Sequence, residues 1–147
     1  MPIFKYQRII TDGPDGTTQT FVNAGADPRA VELAEVEGWR YVHVPAAANL
    51  PDQPQVIQWQ EVAVDDALRE QIKAASRPCA LIYEEMQRRI RAAYPIEVEQ
   101  YYNRIGTGAA LGLYTFQPGE HEALVTYGAY VESVRQWGRA ERAKLGL

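Results

Sequence analysis

The chain has few of the side chains that do chemistry: one cysteine and two histidines in 147 residues. A single thiol closes no internal disulfide, so a reducing cytoplasm is the expected place of synthesis. A zinc site takes three or four convergent ligands at characteristic spacings, and His43, Cys79 and His121 stand too far apart in sequence to supply one. No metal and no cofactor is expected. No apolar run approaches the roughly 20 residues that cross a bilayer. The opening Met-Pro-Ile-Phe-Lys-Tyr has neither the apolar core nor the cleavage site of a signal peptide. No membrane partner is expected. Charge of one sign is not in excess either. The net charge is −4, with 23% charged and 46% hydrophobic residues, the balance of a folded globular chain and not of a disordered tail. The length suits one ordinary domain or two small modules, and lets the chain bury roughly 70% of its unfolded surface without staples.

The charge is unevenly spread. Residues 1–66 carry four basic and ten acidic side chains, and residues 67–147 carry eleven basic and nine acidic ones. The densest basic group, Arg88, Arg89 and Arg91, lies within helical reach of Glu84 and Glu85, which reads as a solvated helix face. It lacks the interleaved aromatics of a nucleic-acid groove, so nucleic acid is not an expected partner.

Local patterns divide the chain into a small α+β module over 1–45, a proline-rich linker with a possible strand over 46–64, and a helical module over 65–147. Ile3–Ile10 and Thr17–Val22 read as strands around the turn Thr-Asp-Gly-Pro-Asp-Gly. Asp27-Pro28 then reads as the start of a helix that carries Val31, Leu33 and Ala34 and stops at Gly38, and Trp39–Val44 as a third strand. The expected order is ββαβ. Three prolines between residues 45 and 55 predict an extended spacer. Val56–Val62 follows as a lone strand able to pair with the first sheet or with another chain. Asp65-Asp66 caps one helix, Pro78 opens a second, Pro95 starts a short third, a glycine-rich loop covers 106–119, and a final helix spans about Glu120 to Lys144. This is an α+β chain with three to four helices in its second half.

Catalytic patterns are missing. His43 shares its strand face with Trp39 and Tyr41 and reads as a surface or rim residue, and His121 between two glutamates reads as solvent-facing. Cys79 at a helix start is the best single argument for reactivity, since a helix N-terminus lowers a thiol's pKa. A small buried residue is the simpler reading. Gly106-Thr-Gly108-Ala-Ala-Leu-Gly112 has the wrong spacing and no lysine for a phosphate loop. Adjacent acids at Asp65-Asp66 and Glu84-Glu85 diverge by about 100° on a helix and form no catalytic dyad. No catalytic residue is assigned.

What stands out is aromatic surface: nine tyrosines, three tryptophans and three phenylalanines. Tyrosine and tryptophan are favoured at protein interfaces. In the last helix Leu124, Tyr127, Val131 and Val134 repeat at spacings of three and four, with Tyr130 and Trp137 beside them, a seam able to meet another copy or a fibre. Tyr101, Tyr102 and Tyr114 crowd the middle of the helical half. Val56, Ile57 and Trp59 on the lone strand are the candidates for strand addition to a neighbour.

The opening hairpin, the strand Glu-Gly-Trp39-Arg-Tyr41-Val-His-Val-Pro45 and the proline linker resemble small proteins encoded among the tail and tail-fibre genes of tailed bacteriophages. The stretch Met86–Ile105 and the ending Val131–Leu147 are similar to the helical segments of the same proteins. The resemblance implies a non-enzymatic virion component of the tail or baseplate, made in the bacterial host cytoplasm. Its implied partners are other tail, baseplate or fibre proteins and further copies of itself. The alternative it implies is a fibre or tail assembly chaperone absent from the mature particle. It carries no catalytic residues to transfer.

Overall fold

The β-branched and aromatic run at the start of the chain makes two strands instead of one, β1 (Ile3–Gln7) and β2 (Ile9–Gly13). In this computed structural model, residues 2–7, 9–13, 16–20, 29–48, 50 and 52–147 are described. β2 pairs with β3 (Gly16–Thr20) as a two-stranded hairpin, with Gly13 opposite Gly16. The turn pair Pro14-Asp15, the end of the expected second strand at Phe21-Val22 and the cap Asp27-Pro28 lie outside the described residues.

The helix expected over the following residues is a strand, β4 (Val31–Val36), joined by a tight turn through Glu37 and Gly38 to β5 (Trp39–His43). Glu37 and Gly38 both have positive φ, 51° and 81°, the twist a two-residue antiparallel connection requires. The register shifts between Glu32 and Ala34, so Leu33 sits in a bulge. The bulge buries both Leu33 and Ala34 and lets Glu32 and Glu35 converge on Arg40 at 2.6 and 3.0 Å. With β6 (Gln60–Val62), the strands form a four-stranded antiparallel sheet in the order β4-β5-β1-β6.

Each face of this sheet has its own cover. On one face Ile3, Leu33, Ala34 and Tyr41 pack with Ile72 of the helix α1 (Asp66–Ala75), and Leu145 and Leu147 join them from the end of the chain. On the other, Tyr6, Val42 and Val44 pack with Ile57, Ala48 and Leu50. The stretch expected as a spacer thus folds back as a lid on the sheet. Residues Gln55–Ile57 make one 3₁₀ turn, Gln58 takes a left-handed conformation, and only then does β6 begin.

The α+β arrangement of an N-terminal sheet followed by helices holds, with four α-helices among the described residues. Asp65 caps α1 by accepting from the Leu68 N–H at 2.8 Å. Buried Ser76 ends α1 and caps α2 (Arg77–Ala93), its Oγ accepting from the Cys79 N–H. Pro95 opens α3 (Ile96–Ala110), and α4 runs Glu120–Lys144. The loop expected to start at Gly106 starts only at Leu111. Gly106 and Gly108 are helical and let side chains approach closely: a Cβ on Gly106 would stand 3.3 Å from Leu124 and one on Gly108 2.9 Å from Tyr114.

The chain divides into two compact units, Met1–Leu81 with Arg142–Leu147, and Ile82–Glu141. In the second unit α4 runs back along α3 and α2. Its Tyr127 meets Tyr102 and Tyr94, its Tyr130 donates to the Arg89 carbonyl, and its Val134 packs with Met86 and Ile90.

Candidate functional site

The structure turns the seam of α4 inward. Tyr127 and Val134 are buried, and Leu124, Tyr130, Val131 and Trp137 are half-buried. Their partners are in the same chain. Tyr127 stacks on Tyr102 with ring centroids 5.2 Å apart, and takes an edge contact from Tyr94 at 5.0 Å. Val131, Tyr130 and Trp137 lie against the cluster of Met86, Ile90 and Val134. Trp137 also carries the Arg89 guanidinium over its ring at 3.8 Å. The 3.6-residue period correctly marks the apolar side of the helix, and that side is occupied by α2 and α3.

The expected lone strand divides in the same way. Ile57 is fully buried against the sheet, and Trp59 is half-buried, its ring stacked on Phe4 at 4.8 Å and 8°. Val56 alone of the three stays well exposed, at 64%. The strand itself shortens to Gln60–Val62 and pairs with β1.

Tyr101 and Tyr114 converge with Glu120 at the start of α4. The Glu120 carboxylate accepts from both phenols, from Tyr114 at 2.7 Å, and from the Gln117 N–H at 2.8 Å. Donation to that carboxylate pushes the Tyr101 phenol up to about 12 and the Tyr114 phenol upward too. The same bonds, Tyr101's first, hold Glu120 below the usual carboxylate range. A carboxylate so satisfied and phenols so firmly protonated exchange no proton near neutral pH. They fasten the entry of α4 to α3 and to the connecting loop.

Just before this fastening lies exposed apolar surface outside the expected interface residues. After α3 the backbone turns tightly: the Leu113 and Tyr114 N–H groups both donate to the Gly108 carbonyl, at 2.8 and 3.1 Å, and Gly112 is left-handed. The turn holds Leu111 and Leu113 at 67% and 81% exposure. Val125, a turn and a half into α4, is also exposed. A signal was present: Leu-Gly-Leu-Tyr-Thr-Phe is an apolar run between Ala110 and Gln117, outside any helical period.

The basic group is internally engaged. Glu85 accepts from Arg88 and Arg89, Arg88 foremost, and is held down to about 2, while Arg91 pairs with Glu99. Cys79 is buried, and His121 is exposed with its ring edge against Phe116. His43, expected at a rim, is buried in the sheet at 3% exposure. Among the described residues no three His, Cys, Asp or Glu side chains come together to hold a metal ion, and no helix is long and apolar enough to cross a membrane. Comparison with protein-family models, curated proteins and solved structures finds no match.

Proposed function

We propose that the chain is a non-enzymatic structural adaptor of a bacteriophage tail or baseplate, joining virion components or tail fibres through protein–protein contacts. The observation that carries this reading is the turn after α3, where hydrogen bonds to Thr107, Gly108 and Ala109 carbonyls hold Leu111 and Leu113 out in water. Two leucines presented together leave apolar area uncovered that a partner's surface would bury favourably. Because the backbone beneath them is already fixed, little ordering entropy opposes the contact. The resemblance of the Trp39–Pro45 strand and of the helical segments to tail-associated proteins supplies the partner class: other tail, baseplate or fibre proteins, and copies of this chain in a symmetric particle.

Mass spectrometry of purified phage particles that encode the chain tests the proposal. The expected result is a fixed stoichiometry relative to the principal tail protein. A chain bound to unassembled fibre but missing from finished particles is instead an assembly chaperone, and a chain missing from both has no place in the tail. The double variant L111S/L113S is expected to keep the parent's urea midpoint and to enter particles at least about tenfold less efficiently, as for a central interface pair. Undiminished entry removes this turn from the interface.

A further inference from the structure

His43 closes β5 on the sheet face covered by α1 and the end of the chain, opposite Ile3 of β1 and Val31 of β4. Its side chain is buried, and among the described residues its Nε2 is the one buried side-chain polar atom with no hydrogen-bond partner. Directly over the ring lies the turn that ends the chain. A Cβ on Gly146 would stand 3.2 Å from His43 Cδ2 and 3.5 Å from Ile3 Cδ1, and Gly146 itself is left-handed, with φ 77°. That turn is closed by its own bonds, the Leu145 and Leu147 N–H groups donating to the Arg142 carbonyl and the Gly146 N–H to that of Ala143. It is fastened to the sheet by Leu145 and Leu147, which pack on the apolar cluster of that face.

We propose that His43 is a protonation switch beneath this turn: the neutral ring is sealed by Leu145–Leu147, and protonation in mild acid lifts the turn off the sheet. A charged imidazolium there finds no acceptor for its Nε2–H within the seal, and hydration is what would compensate that group. Of the elements around the ring, β1 and β4 are held by strand pairing and α1 by the fully buried Ile72. The terminal turn is held only by its own short-range bonds and the packing of Leu145 and Leu147, and those bonds open with it, so it is the cover that yields at least cost. The charged groups nearby work in the same direction. The N-terminal ammonium disfavours a second positive charge on the ring, adding to the larger effect of burial, and among the described residues no carboxylate offsets either. Tyr41, on the same strand face, is kept protonated by its own burial, and on α1 Arg69 and Lys73 are paired with Asp66 and Glu70. In the C-terminal segment Arg142 and Lys144 carry positive charge and the Leu147 α-carboxylate negative charge, and none of the three is among the groups that shift the ring. The sign is therefore fixed. The sealed state is favoured above the ordinary histidine value of 6.5 and weakens as pH falls below it.

Amide hydrogen exchange of the full chain, expressed as protection relative to the unstructured rate, tests this between about pH 7.5 and pH 5.5, a window that spans the histidine range. Protection at Leu145, Gly146 and Leu147 is expected to fall at least about tenfold, while protection in β1 and β5 holds. In His43→Leu the terminal protection is expected to stay flat across the same range, and in His121→Ala to fall as in the parent. An equal fall in His43→Leu, or none in the parent, overturns the switch. Should His43→Leu not fold, ring-proton NMR of the parent decides. The His43 titration and the shifts of the Leu145 and Leu147 methyls must share one midpoint below the ordinary histidine value of 6.5, and separate midpoints reject the idea.

Discussion

At the scale of single residues, two glycines of α4 ask opposite things of the same substitution. A Cβ on Gly138 would overlap Met86 Sδ and lie 3.1–3.2 Å from Met86 Cε and Cγ, so most of that side chain would have to move. Met86 is itself buried with Ile90 and Val134, which leaves it little room to do so. Gly138→Ala is expected to destabilise the chain by about 1–3 kcal/mol through overpacking. Gly128 has nothing within 4 Å of the corresponding point and lies mid-helix on the exposed side. Gly128→Ala is expected to stabilise by roughly 0.5–1 kcal/mol, because alanine loses less backbone entropy in a helix. Urea unfolding of the two variants gives the signs directly. A neutral Gly138→Ala would mean that α2 and α4 do not pack this closely. Shortening the obstacle supplies a further check: Met86→Ala combined with Gly138→Ala should cost less than the two changes separately, since the residues are in contact.

At the scale of elements, α1 matters more to the sheet than its ten residues suggest, because it brings Ile72 to the sheet with no exposed surface left. Its cap is Asp65, whose carboxylate satisfies the Leu68 N–H. Asp65→Ala is expected to lower stability by about 0.5–2 kcal/mol, and Asp65→Asn to retain most of it, since the amide oxygen can accept the same bond. Equal losses in thermal denaturation for both variants would assign the cost to charge at the helix start and not to capping. Caps of this kind are why α1, α2 and α4 were legible in the sequence. Each begins at an acidic or hydroxyl residue or a proline and keeps a 3.6-residue apolar period. β4 was illegible for a definite reason. Glu-Leu-Ala-Glu places two apolar residues side by side between acids, all good helix formers, and only the bulge at Leu33 lets a strand bury both. The end of α3 runs past the expected loop start because glycine also serves where a side chain packs close to the backbone, as Leu124 and Tyr114 do at Gly106 and Gly108. The α4 seam marks a limit of periodicity, which identifies the apolar face of a helix but not what covers it. The leucines at 111 and 113 have no period at all, and so fell outside the candidate surface.

At the scale of the whole molecule, the ionisable groups set a window of stability with three edges. Glu85 beside Arg88 and Arg89, and Glu120 beneath two phenols and a backbone N–H, both ionise more readily folded than unfolded. Their contribution is present above the ordinary carboxylate value of 4.5 and is lost as pH falls, for Glu85 toward about 2. His43, kept neutral by burial, adds a loss that begins higher, below its ordinary 6.5. The phenols of Tyr101 and Tyr114 stay protonated beyond their ordinary 10.0, Tyr101 to about 12, so the stability they lend is present below that range and is lost as pH rises through it. The urea midpoint is therefore expected to be flat between roughly pH 7 and pH 9.5, to decline in two stages on the acid side and in one on the alkaline side. Salt separates the stages. The Glu85 pairs are solvent-exposed, so about 0.5 M salt should shrink the lower acid stage by screening, whereas the His43 stage comes from desolvation and should persist. Tyr101→Phe should blunt the alkaline stage and leave both acid stages in place. A midpoint that rises on going from pH 7 to pH 5.5 would contradict the burial of a neutral His43, because a ring kept neutral by burial loses stability on protonation.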